Sequence, residues 1–449
     1  MMRNRLGIVT AGAILAIATL AASVPAGAEG GLTLEERVQR LERRAEMPPP
    51  AAAPSGLQER LDALEAAIKK PPFGLSIGGM VVGSYLYDMN DPKGHNGTVG
   101  LRSFDRDHNS FTLDLFQLQV SRAPGENGVG FVTKLNVGKV AERMASDWDG
   151  DGSVGNVAEE QNSIELEEAY VTYNFPGLPD LQLKGGKFVT LHGTEVIESP
   201  RNFNISRSLA FSYAIPFTHT GLMMSYAISP EVTVMGGLVN GWDNVVDSND
   251  GKSFHGSVAV TPVKEFSFAL NGMYGAEQPN RGDSKRGLID TVATVKPIED
   301  LTISLNYDYG NETDLGPPPP IDPNDPSKPR FFSKGNKTVE WHAVSGIVAY
   351  DLPDVLIKPV GFAVRAEYFD DSDGTRLPGP TGVIGETFGE HQNVWEITTT
   401  AKLILAEGLM ARIEYRYDNV EHENPVFLRN VGGVQEDQHT IATELSYVF

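Results

Sequence analysis

From residue 75 onward the chain reads as sixteen segments of period-2 alternation, and the connections between them sort by length. Leu301, Ile303, Leu305, Tyr307 and Tyr309 alternate with Thr302, Ser304, Asn306 and Asp308. Leu409, Ala411, Ile413, Tyr415 and Tyr417 alternate with Arg412, Glu414, Arg416 and Asp418. Alternation of this kind predicts strands with one apolar and one polar face. The short connections are 123–127, 176–180, 229–230, 263–264, 298–299, 352–354 and 405–407. The long ones are 89–109, 141–161, 190–218, 242–252, 277–286, 311–337, 371–391 and 420–437. A two-sheet sandwich has no reason to place every short turn at one end. A transmembrane barrel does, so the expected fold is all-β, an antiparallel β-barrel of about sixteen strands.

The final strand alternates Ile441, Thr443, Leu445, Tyr447 and Phe449 and finishes on an aromatic. Tyr85, Tyr87, Tyr173, Phe175, Tyr307, Tyr309, Tyr350, Tyr368, Tyr415 and Tyr417 fall at strand ends, where interfacial aromatic girdles belong. Sixteen strands enclose a lumen too wide for wall side chains to fill, so its expected content is water.

The segments ahead of the barrel read differently. Arg3 and Arg5 precede an apolar stretch from Leu6 to Ala22, and Ala26-Gly27-Ala28 supplies a small-residue cleavage pattern. Residues 1–28 are therefore expected to be a signal peptide. Its removal takes away two positive charges and moves the formal net charge from -22 to -24. That acidic balance argues against nucleic acid, and the absence of Cys excludes disulfide scaffolds and thiol chemistry. In 29–72, Leu34, Val38, Leu41 and Ala45, then Leu57, Leu61, Leu64 and Ile68, are spaced 4, 3, 4. Pro48, Pro49, Pro50 and Pro54 separate the two patches. This predicts a short periplasmic coiled-coil and Pro-rich segment that supports self-association, followed by the barrel over 73–449.

The loop 190–218 is far more apolar than a free surface loop, with Phe203, Leu209, Phe211, Tyr213, Ile215 and Phe217. It is expected to fold into the barrel, where Glu195, Glu198, Arg201 and Arg207 would form a pore constriction. Strand parity makes Arg365, Glu367, Glu396, Lys402, Arg412, Glu414, Arg416 and Glu444 lumen-facing.

Several motifs make the reading more specific. Gly186-Lys187-Phe188, Gly193-Thr194-Glu195-Val196-Ile197-Glu198-Ser199-Pro200, Asn204-Ile205-Ser206-Arg207-Ser208, Ala214-Ile215-Pro216-Phe217-Thr218-His219-Thr220-Gly221 and Asn240-Gly241-Trp242-Asp243 carry the resemblance. Over 73–449, and most strongly over 180–245, the chain resembles the putative β-barrel porin family of Gram-negative outer membranes. The resemblance implies a pore, a homotrimer, and a terminal-Phe strand read by the barrel-assembly machinery. It also implies an outer-membrane lipid environment and passage of small hydrophilic solutes or ions.

Asp147-Trp148-Asp149-Gly150-Asp151-Gly152 opens like a calcium loop, but its twelfth position is Ala158. Asp147, Asp149 and Asp151 therefore read as a solvated acidic loop with a weak calcium-site character. His192 and His219 lie near the two ends of the third loop, and ordinary hydrogen bonding is their expected role. No phosphate-cradling glycine loop, Gly-x-Ser-x-Gly or His-Glu-x-x-His occurs, so neither a cofactor nor a catalytic residue is expected. The function expected is an outer-membrane porin for passive diffusion. The alternative is a structural protein that tethers the envelope through its coiled coil.

Overall fold

The computed structural model describes residues 74–92, 98–125, 128–144, 163–317, 332–352, 360–379, 384, 386–421, 425–429 and 433–449. The expected signal peptide, the coiled-coil segment and the acidic 147–152 motif lie outside the described residues.

Sixteen wall strands run in chain order. They are β1 Ser76–Asp88, β2 Ser110–Arg122, β3 Val129–Val137, β4 Ile164–Phe175, β5 Leu178–Val189, β6 Thr218–Ser229, β7 Val232–Val239 and β8 Ser253–Val263. The series continues with β9 Phe266–Gln278, β10 Arg281–Ile298, β11 Leu301–Gly316, β12 Lys337–Leu352, β13 Val360–Asp371, β14 Gln392–Ala406, β15 Leu409–Glu421 and β16 Asp437–Val448. Each pairs antiparallel with its sequence neighbours, and β1 closes on β16 with Met80 opposite Val448 and Asp88 opposite Thr440. Closure removes both sheet edges, as a wall in lipid requires. Phe449 extends the seam: its N–H donates to Gly79 O and its carbonyl accepts from Gly79 N, both at 3.0 Å.

The two faces are inverted relative to a water-soluble sandwich. Phe111, Leu222, Tyr274, Ile289, Leu305, Phe362 and Leu445 are exposed on the outer surface. Gln117, Glu167, Asn271, Asp308, Arg365 and Glu414 are buried on the inner one. Apolar side chains facing outward suit acyl chains, and the polar inner face suits anything else.

Three local differences from the sequence reading have clear causes. The third strand stops at Val137 because Gly138 adopts φ +115°, and Lys139–Met144 then forms the helix α1. Val140, Ala141 and Met144 share the buried face of α1, so helical spacing wins there. The expected long loop 277–286 is instead a tight turn at Pro279-Asn280, with Asn280 at φ +57°. The polar run Arg281-Gly282-Asp283-Ser284-Lys285 looks like loop, yet a strand above the bilayer needs no apolar face. Arg286 holds that extension by donating to Glu312 at 3.1 and 2.9 Å, and Gln278 adds a bond to the same carboxylate at 2.8 Å. Finally, Gly177 at φ +77° makes a tight turn that starts β5 at Leu178.

Candidate functional site

A loop taken out of water must still satisfy each backbone N–H and C=O. Residues 190–217 do this against the inner wall, along the arc that runs from β11 round to β3. Thr194 N donates to Asn306 Oδ1 on β11 at 3.1 Å. Glu195 accepts from Arg365 on β13 at 2.7 Å. Glu198 accepts from Gln117 on β2 and Lys134 on β3, each at 3.1 Å. Ser199 donates to Glu444 on β16, and Asn204 donates to Thr400 on β14 at 2.7 Å. Trp341 Nε1 on β12 donates to Ala214 O at 3.2 Å.

The alternating signs on β13 to β16 match this backbone. Glu414 accepts from the N–H groups of Ile205 and Ser206 at 2.6 and 3.0 Å. Glu367 accepts from Leu209 and Ala210 at 2.5 and 3.0 Å. Arg412 donates to the carbonyls of Asn202 and Asn204, Arg365 to that of Ser206, and Arg416 to that of Arg207. Charge-assisted bonds of this type are stronger than neutral ones. Carboxylates take the loop's donors and guanidiniums take its acceptors, so both signs are needed. Arg365, Arg412 and Arg416 are each exposed by 1% or less, because the loop covers them.

The four loop residues divide three to one. Glu195, Glu198 and Arg207 are buried, and Arg207 donates to Ile197 O and to Ile205 O while lying 4.6 Å over the Phe104 ring. Arg201 keeps 47% of its side chain exposed, 3.3 Å from Glu198. Lys402, nearer the short-turn rim, pairs with Asp351 at 2.7 Å.

Sequence reasoning missed the first loop's share of this arrangement. Arg102 donates to Asp418 at 3.2 Å and to Thr440 at 2.9 Å, and Phe104 packs against Phe211 and Phe217. It also missed the facing cluster in which Lys134 sits 3.2, 2.8 and 3.1 Å from Glu167, Glu168 and Glu198. Leu101-Arg102 and Phe104, an apolar–basic–apolar run inside a long loop, is the one signal that could have pointed inward.

The loop's exit is held from the long-loop rim. Asp243 accepts from Phe217 N and Thr218 N at 2.7 and 2.9 Å. Burial pushes its carboxyl up to about 6 against the opposing pull of those N–H groups. Arg376 donates to Tyr213 O at 2.8 Å, with its guanidinium 4.8 Å from the Trp242 ring and 5.1 Å from that of Trp341. Burial, then the neighbouring Arg286, bring it down to about 10, so it stays charged at neutral pH. The acidic residues at this rim are engaged as well. Asp371 accepts from the N–H groups of Thr375, Arg376 and Leu377, and Asp373 pairs with Lys337 at 2.5 Å.

A closed sixteen-strand wall with an apolar exterior and a loop anchored across its polar lumen defines a porin-type outer-membrane barrel. The chain belongs to the family described as putative beta-barrel porin-2, OmpL-like, whose model matches residues 74–449. Two solved structures are similar in fold. The outer membrane channel DcaP of Acinetobacter baumannii matches at 13% identity and TM-score 0.50, covering 85% of this chain and 99% of that one. The trimer form of in-vitro folded OmpT, an outer membrane protein of Vibrio cholerae, matches at 9% identity and TM-score 0.50, covering 84% and 99%. No curated protein sequence matches the chain.

Proposed function

We propose that the barrel is a water-filled route for passive diffusion of small hydrophilic solutes, narrowed by the third loop. One observation supports this most: the loop is bonded to β2 and β3 at Glu198 and to β13 to β16 along its length, across a lumen with polar walls. Such a loop reduces the bore without needing an apolar plug. In this reading Glu195, Glu198 and Arg207 brace the constriction, and Arg201 presents its charge to the water path. The work is passage rather than catalysis.

The short turns lie on the periplasmic rim, so residues 29–72 hang in the periplasm once 1–28 is removed. The outer face meets lipid, and the strand ending at Phe449 is the segment read during barrel assembly. The assembly is a homotrimer, in keeping with the trimer form of the Vibrio cholerae protein and with the heptads ahead of the barrel.

Planar-bilayer recording tests the function. Stepwise ohmic conductance is expected. A protein that inserts and folds but passes no current favours the envelope tether instead. Cross-linking in mild detergent that yields monomers alone removes the trimer.

A further inference from the structure

We propose that His192, His219 and His255 form a binding site for one divalent transition-metal ion of the zinc class. The three imidazoles come from the root of the third loop, the start of β6 and the start of β8. Strand order β6-β7-β8 brings the last two onto one inner wall, and the loop lays His192 over them. The His192 and His255 rings stack with centroids 4.8 Å apart, and the His219 ring lies 4.4 Å from His255. One ring nitrogen from each lies within 4.8 Å of the other two. All three side chains are buried, His255 to 0% exposure.

Their hydrogen bonding is incomplete in a way that points to a ligand. Neither ring nitrogen of His255 has a partner among the described residues, and neither does His192 Nε2. A buried imidazole left like this loses its solvation without return. His219 is different. Its Nδ1 lies 2.9 Å from Gly241 O, a bond that requires the proton on Nδ1 and leaves Nε2 with a lone pair. A backbone carbonyl fixing one nitrogen so that the other can ligate is the usual support for a metal-bound histidine. The Thr190 hydroxyl, 3.1 Å from that Nε2, donates to it and accepts from His192 Nδ1 at 3.0 Å, so an ion would displace this hydroxyl from His219 and take His192 through its unpartnered Nε2.

The donor set selects the ion. Three neutral imidazoles suit Zn²⁺, Co²⁺, Ni²⁺ or Cu²⁺, whereas Ca²⁺ and Mg²⁺ require oxygen ligands. Zn–N bonds of about 2.0–2.1 Å place tetrahedral ligand atoms about 3.4 Å apart, so the rings need to close by roughly an ångström and a half. His192 can supply that movement because it is on the loop. Three protein ligands leave a fourth position for water, hydroxide or chloride, and an anion there would offset charge beside Lys184. The Lys184 ammonium is turned toward the Tyr170 and Phe188 rings, at 4.8 and 5.2 Å. The bound ion would clip the loop's root to the wall at β6 and β8. This stands apart from the pore reading and needs only the loop's position.

The tag-free full-length mature protein, refolded and treated with chelator, is titrated with Co²⁺ and followed by visible absorption. One equivalent per chain is expected to produce the intense bands of a four-coordinate ion, and one equivalent of Zn²⁺ to erase them. His255→Gln and His192→Gln should each weaken binding by more than the about 10–100-fold typical of losing a second-shell partner. Heat-modifiable migration on gels reports folding, and His192→Gln, being on the loop, decides the matter if His255→Gln does not fold. Absence of these bands in the parent protein overturns the site. So does equal affinity in parent and His192→Gln, which would place the ion on histidines such as His342 or His439. Conductance of the chelated protein is recorded in parallel, so loss of the pore and loss of the metal site are distinguishable.

Discussion

Arg365 and Glu195 lie 170 positions apart and form a 2.7 Å ion pair in which neither side chain exceeds 5% exposure. Arg365 also reaches Glu396 at 2.7 Å, so one guanidinium joins the loop to two neighbouring wall strands. Removing one member of such a buried group leaves the others uncompensated and costs about 3–5 kcal/mol. Arg365→Met should therefore lower stability in urea titrations by that order, and raise conductance as the loop loosens. In Arg365→Met combined with Glu195→Gln the loss should be smaller than the sum of the single losses. Strict additivity would mean the pair does not hold the loop.

Arg201 and Arg207 should separate cleanly. Arg201 is half exposed, and pairs of that kind contribute about 0–1 kcal/mol. Arg201→Ala should leave stability nearly unchanged while shifting reversal potentials under a KCl gradient toward cations. Arg207→Ala removes two carbonyl contacts and the Phe104 ring contact, and should cost on the order of 2 kcal/mol. Its recordings should be noisier. A selectivity change of equal size in both variants would contradict this division.

Long-range charge should act on selectivity more weakly than composition suggests. The net charge is -22, yet Asp371 and Asp373 at the long-loop rim are already committed to backbone N–H groups or to Lys337. Mild cation preference is expected at low salt. It should fade as the screening length falls from about 10 Å at 0.1 M to about 3 Å at 1 M. Clear anion preference at low salt refutes the charge argument.

Trp341 tests the fit of the wall to the loop. Its indole lies flat over Gly310, its register partner, in the space a Cβ would need, and its Nε1 bonds to Ala214 O at 3.2 Å. Gly310→Ala should push the ring away and break that bond, whereas Trp341→Phe keeps most of the packing and loses only the donor. The first should cost about 1–3 kcal/mol, and the second about 1 kcal/mol. Tryptophan fluorescence would report the displaced ring only in Gly310→Ala.

Asp243 supplies a pH dependence with a definite sign. Its folded pKa of about 6 lies above the ordinary Asp value of 3.8, so the folded state binds this proton more tightly than the unfolded state. The group's unfavourable contribution is fully present above about pH 6 and is relieved as pH falls from 6 toward 4. Two pKa units correspond to roughly 3 kcal/mol. Asp243→Asn keeps an acceptor for Phe217 N and Thr218 N and should flatten that part of the stability profile. An unchanged difference between parent and variant from pH 7 to pH 4 counts against it.

The alternation in β11 and β15 is local, so the sequence alone determined most of where strands run, which face meets lipid and, the tight turn at Pro279-Asn280 apart, which rim carries the short connections. Steric alternation at every second residue is enough for that. It also marked the third loop, since Phe203, Leu209, Phe211 and Tyr213 cannot all remain in water. What the inner face touches was beyond its reach. Parity placed Arg365, Arg412, Glu414 and Arg416 inside, where an open lumen would have made them channel lining. Tertiary structure decided instead that they bond the loop's backbone, because a buried irregular segment needs donors and acceptors and these side chains are the nearest supply. The meeting of His255 with His192 and His219 has the same origin. Residues two strands apart become neighbours only once the wall has curved and the loop has returned across it.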